Sequence, residues 1–144
     1  MNAFTAHHAP TIWVTLSYIA LYYVFLINIL RVKRRVAAQC RAAGERYDRY
    51  ASRHPEMLAA DRVQLNMLEH MPPFLVLLWL QSLLVSPQSA AVLGSIYLLL
   101  RASYPVFLGS TLKRDIPRRL LLNTFAGYAV LTIFAGWQVA SLLG

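Results

Sequence analysis

Residues 11–35 read TIWVTLSYIALYYVFLINILRVKRR. From Thr11 to Leu30 there are 20 residues without a charge, and Arg31, Lys33, Arg34 and Arg35 then end the run abruptly. At ~1.5 Å per residue a helix of that length reaches ~30 Å, the thickness of a bilayer's hydrocarbon core. The run is too long for the apolar core of a cleaved signal peptide, and no Lys or Arg precedes it in the first ten residues. It therefore predicts a retained transmembrane helix.

Three further spans follow from the same criterion. The second covers about residues 62–85, the third 90–112 and the fourth 120–143, with Ser86-Pro87-Gln88-Ser89 as a short turn between the second and third. Residues 31–61 form a basic, Ala-rich tract that is helical in part, and Lys113 to Arg119 form a second basic loop with Pro117 inside it. The predicted fold is all-α: a four-helix up-down bundle in a membrane, in one four-span domain.

Composition agrees. Of the 144 residues, 58% are hydrophobic and 14% charged, against about 25% charged in soluble domains. The net charge of +8 raises nucleic acid as a partner. Yet nine of the 14 Lys and Arg lie between Arg31 and Arg62 and four between Lys113 and Arg119. That clustering is the positive-inside pattern of a membrane protein, so nucleic acid is not expected as a partner. It places both basic loops in the cytoplasm and both termini outside. The single thiol, Cys40, sits in the basic tract and cannot form an internal disulfide. The four histidines show no metal-ligand spacing, so no metal is expected.

Two ionisable residues lie at membrane depth, Glu69 on the second span and Arg101 on the third. Such residues are expensive in lipid and mark functional places. Arg62, Asn66 and Glu69 share one face of a helix, with His70 beside them, and Pro72-Pro73 predict a kink just beyond. Tyr97, Arg101 and Tyr104 share a face of the third span, where Pro105 allows another kink. Two readings stay open. Glu69 and Arg101 can form an ion pair that only ties two helices together. Alternatively, the stripe can form a pocket for a small polar anion, because guanidinium forks match carboxylates and a carboxylate takes an ammonium group. A zwitterionic peptide meets that inventory.

The run Arg62-Val-Gln-Leu-Asn66-Met-Leu-Glu69-His70-Met-Pro-Pro-Phe-Leu-Val resembles the signature of the MAPEG family, the membrane-associated proteins of eicosanoid and glutathione metabolism. The four-span layout and basic first loop are similar across nearly the whole chain. The resemblance implies a homotrimer with glutathione bound between neighbouring subunits at the cytoplasmic helix ends. It assigns Arg62, Asn66 and Glu69 to glutathione, with His70 where members often carry Tyr. Arg101 and Tyr104 look like the Arg–aromatic pair of the third helix, and Arg31 like a basic residue that reaches the tripeptide. The thiolate-stabilising Arg corresponds to Arg114 or to Arg118. A Tyr that some members place one turn after the aromatic is replaced here by Phe107 or Leu108. Ala126-Gly127 and Ala135-Gly136 offer small surfaces on which helices of an assembly can meet.

The implied function is a membrane-embedded glutathione transferase or peroxidase. It would act on lipophilic small molecules entering from the membrane lipid. The alternative is a non-catalytic lipid- or glutathione-binding accessory protein on the same scaffold. An intact thiolate-stabilising Arg favours the first.

Overall fold

The computed structural model describes residues 2–48, 53–112, 115 and 117–144. Five helices are present among them and no strand: α1 (Ala3–His7), α2 (Ala9–Ala42), α3 (Pro55–Leu84), α4 (Pro87–Leu108) and α5 (Arg118–Leu143). Helices α2 to α5 are each long and apolar enough to cross a membrane. They run alternately up and down as an antiparallel bundle: His8 meets Ser82 at one end of α2 and α3 and Arg35 meets Glu56 at the other, while Gln138 near the end of α5 meets Leu77 near the end of α3.

The boundaries differ from expectation where local chemistry outweighs hydropathy. Helix α2 does not stop at Leu30 but continues through the basic tract to Ala42, ~51 Å in all at 1.5 Å per residue. Nothing between Arg31 and Ala43 breaks a helix. The break comes at Gly44, whose φ of 70° ends the helix. The Gly44 N–H donates to the Arg41 carbonyl at 3.2 Å and the Glu45 N–H to the Cys40 carbonyl at 2.8 Å, a Schellman motif. Helix α3 starts seven residues before Arg62, with Pro55 in its first turn, where a missing N–H costs nothing. Its projecting first turns pack Met57 and Ala60 against Ile29, Val32 and Val36 of α2. Arg35 and Glu56 close this corner with an ion pair at 2.6 Å.

The turn expected at 86–89 is shorter than that. Ser86 is the N-cap of α4 and accepts from the Ser89 N–H at 3.0 Å, with Pro87 next to it. At the other end α4 stops at Leu108 rather than 112, because Gly109 takes a φ of 84°. Neither Pro72-Pro73 nor Pro105 interrupts its helix. Beside the two prolines of α3, the Tyr18 hydroxyl donates to the Met67 carbonyl at 3.0 Å.

The core is aromatic at its centre. Phe74 lies between Tyr18 and Tyr97, with ring centroids 4.7 and 4.5 Å away. The end holding both termini is fastened by polar contacts. His8 Nδ1 and Thr11 Oγ1 each share a 2.8 Å hydrogen bond with Ser82 Oγ. Gln138 donates to the Leu77 carbonyl at 2.7 Å. Around the outside, Trp13, Val106, Leu122 and Leu143 stand exposed, as lipid-facing side chains must.

Candidate functional site

The spacing of Arg62, Asn66 and Glu69 places all three on one face of α3, and that face opens onto a cleft of about 400 Å³ near the basic end of the bundle. Tyr104 and Leu108 enter from α4, and Leu120, Leu121, Thr124 and Tyr128 from α5. Arg62 and Glu69 are exposed at its rim, whereas Asn66 is buried in its wall. A cation, an anion, an amide and two phenols thus surround a space within the usual range for small-molecule sites, about 300–1,000 Å³.

Arg101 stands behind that wall rather than in the cleft. It is 1% exposed, and its Nη1 donates to Asn66 Oδ1 at 2.8 Å. Its guanidinium carbon lies 5.1 Å from the Tyr97 ring centroid and 6.0 Å from that of Tyr104, a sandwich between two π faces. Nε and the second terminal nitrogen of Arg101 and the hydroxyl of Tyr97 are buried without hydrogen-bond partners among the described residues. A buried guanidinium is costly, so its one strong bond and its two rings matter for where it sits. Gly127 of α5 makes room for it: a Cβ there would overlap the Arg101 guanidinium.

The ion pair between Glu69 and Arg101, one of the two readings left open by the sequence, is absent among the described residues. Asn66 has taken the guanidinium and left the Glu69 carboxylate facing outward. A neutral amide reaches Arg101 without bringing a second charge into the interior, which avoids one desolvation penalty. His70 is also buried behind the cleft, its ring 5.2 Å from that of Tyr128 and 6.5 Å from that of Tyr97. Arg31 is exposed on α2 and does not line the cleft of its own chain. Arg114 lies outside the described residues. Arg118, its rival, is exposed in the first turn of α5.

Thr124 and Tyr128 were not singled out by sequence. Their signal was present: Leu120, Thr124 and Tyr128 recur at intervals of four and so share one face of an otherwise uncharged span. Gly127, one of the small residues expected to serve assembly, makes room inside the protomer for Arg101. Gly136, by contrast, has open space around it.

A comparison with family models matches residues 11–140 to the one described as the MAPEG family. A search of curated proteins gave no match.

Proposed function

This chain belongs to the MAPEG family, and we propose that it is a membrane-embedded glutathione transferase or peroxidase acting on lipophilic electrophiles. Membership supports a role in membrane glutathione-related or eicosanoid metabolism broadly. The observation that carries the finer reading is the shared cleft of Arg62, Asn66, Glu69 and Tyr104. That donor set fits the ends of glutathione. The Arg62 fork matches a carboxylate, the Glu69 carboxylate accepts from an ammonium group, and the Asn66 amide and Tyr104 hydroxyl bond the peptide between them.

Bound there, glutathione supplies a thiol as the nucleophile. The protein's part is to hold the tripeptide, exclude water with Leu108, Leu120 and Leu121, and lower the thiol pKa with a nearby cation. Arg114 or Arg118, at the basic end, is the guanidinium for that last task. Arg101 acts through Asn66: its hydrogen bond fixes the amide oxygen and so turns the amide N–H₂ elsewhere. The rim exposure of Arg62 and Glu69 fits a site closed by a neighbouring subunit of a homotrimer, whose Arg31 would reach across. The lipophilic substrate enters from the bilayer, and the cleft faces the cytoplasm with both termini outside.

Thiolate absorbance on adding glutathione to the detergent-solubilised protein tests the chemistry. Its rise is expected in the wild type and its loss in Arg114→Ala or Arg118→Ala. Binding without any thiolate signal would instead support the accessory role. Native mass spectrometry from mild detergent tests the assembly, and a monomer that binds glutathione fully would remove the between-subunit site.

A further inference from the structure

A second recess, about 730 Å³, lies on the other side of the α4–α5 contact. Helix α5 divides the two spaces: Leu120, Leu121 and Thr124 face the cleft, while Arg119, Leu122 and Ala126 line the recess. On α4 its walls run from Ile96 to Phe107. Those eleven steps span ~16 Å, close to the ~15 Å depth of one leaflet's hydrocarbon.

Its floor asks for no polar partner. Ser103 Oγ lies 3.0 Å from the Leu100 carbonyl and 3.3 Å from Asn123 Oδ1, and Asn123 Nδ2 donates to the same carbonyl at 3.0 Å. The two polar side chains at depth are therefore satisfied by the protein. The outer lips, Leu99 and Leu122, are 70% and 69% exposed, so the groove opens sideways into lipid. Only its end at the basic pole is charged. Arg119 stands there, with no ion-pair partner among the described residues. Arg118 and Arg119 also occupy the first turn of α5, the positive end of the helix dipole, where cations are disfavoured unless an anion sits beside them.

We propose that this groove holds one acyl chain of an acidic phospholipid, whose headgroup phosphate is bound by Arg119. The site accounts for the length, the dryness and the single charged end together. A guanidinium fork matches phosphate geometry, and the bilayer delivers such a molecule without its leaving the leaflet. The proposal is independent of glutathione, whose cleft lies across α5.

The probe is an equimolar mixture of phosphatidylglycerol and phosphatidylcholine with the same chains, added to the full-length protein in mild detergent and read by native mass spectrometry. The wild type should retain phosphatidylglycerol about fivefold over phosphatidylcholine, which is about 1 kcal/mol for one basic side chain near the headgroups. Arg119→Gln should erase the preference. Ala126→Phe should fill the deep end and reduce retention of both lipids. If Ala126→Phe does not fold, Leu122→Trp at the lip gives the same reading. Equal retention by the wild type overturns the proposal. So does a preference that survives Arg119→Gln, which would assign the headgroup to Lys33, Arg34 and Arg41 on α2. Full retention by the filled groove overturns it too, as does an oligomer that sheds all lipid because another copy of the chain closes the groove.

Discussion

Two glycines on one helix separate packing inside the protomer from packing between protomers. Gly127 and Gly136 both lie in α5, and Gly→Ala raises intrinsic helix propensity at either by about 1 kcal/mol. At Gly136 a Cβ meets nothing within 4 Å, so Gly136→Ala should be neutral or stabilising. At Gly127 the added Cβ would overlap the Arg101 guanidinium and approach Tyr97 Cε2 at 3.6 Å. Arg101 is sandwiched between Tyr97 and Tyr104 and has little freedom to yield. Overpacking of this kind costs about 1–3 kcal/mol. Displacing Nη1 from Asn66 forfeits a hydrogen bond to a charged group, about 1.5–3 kcal/mol. After the propensity gain, Gly127→Ala should lose roughly 1.5–5 kcal/mol. Thermal unfolding in a fixed detergent, at fixed protein concentration, measures both variants. Opposite signs are expected. Equal destabilisation at the two positions would refute the reasoning, because it would mean that both glycines serve contacts between subunits. Glutathione affinity of Gly127→Ala should fall as well, since Asn66 loses the partner that orients it.

Other outcomes follow from the same geometry. Glu69→Gln should leave unfolding unchanged, because the carboxylate has no ion pair with Arg101, yet weaken glutathione by about 10- to 150-fold, equivalent to 1.5–3 kcal/mol; isothermal titration checks it, and unchanged affinity removes Glu69 from the site. Asn66→Leu should lower stability by about 3 kcal/mol, since it strands a buried guanidinium, and scanning calorimetry showing no loss would contradict the Asn66–Arg101 bond. Arg35→Ala, at a partly exposed ion pair, should cost no more than about 1 kcal/mol after solvent screening. A reporter fused after Gly144 should lie outside the cytoplasm and one inserted in the 43–54 segment inside it; the reverse would invert the orientation.

The spans were legible in sequence because a bilayer imposes its own arithmetic: the stretch from Thr11 to Leu30 has only one inexpensive conformation in hydrocarbon. The helix ends were not, because they lie in water, where single residues decide. Gly44 and Gly109 set two of them, and neither interrupts a hydropathy pattern. The stripe of Arg62, Asn66 and Glu69 was legible for a similar reason, since spacing along one helix fixes a shared face before any packing is known.

What spacing cannot fix is which neighbour a side chain meets. Glu69 and Arg101 both looked like charges in need of a partner, and opposite sign made them natural partners for each other. Packing instead set Arg101 against Asn66 and Gly127, with the rings of Tyr97 and Tyr104 beside it. The consequence is a division of labour that sign alone does not suggest. The buried cation is held by an amide and by ring faces, none of which needs to be ionised. The carboxylate therefore stays at the rim, with no ion-pair partner among the described residues, where a charge arriving from outside can meet it. A structural Glu69–Arg101 pair would have closed the stripe on itself; the substitution of Asn66 for Glu69 as the partner is what leaves the cleft with both an accessible cation, Arg62, and an accessible anion, Glu69.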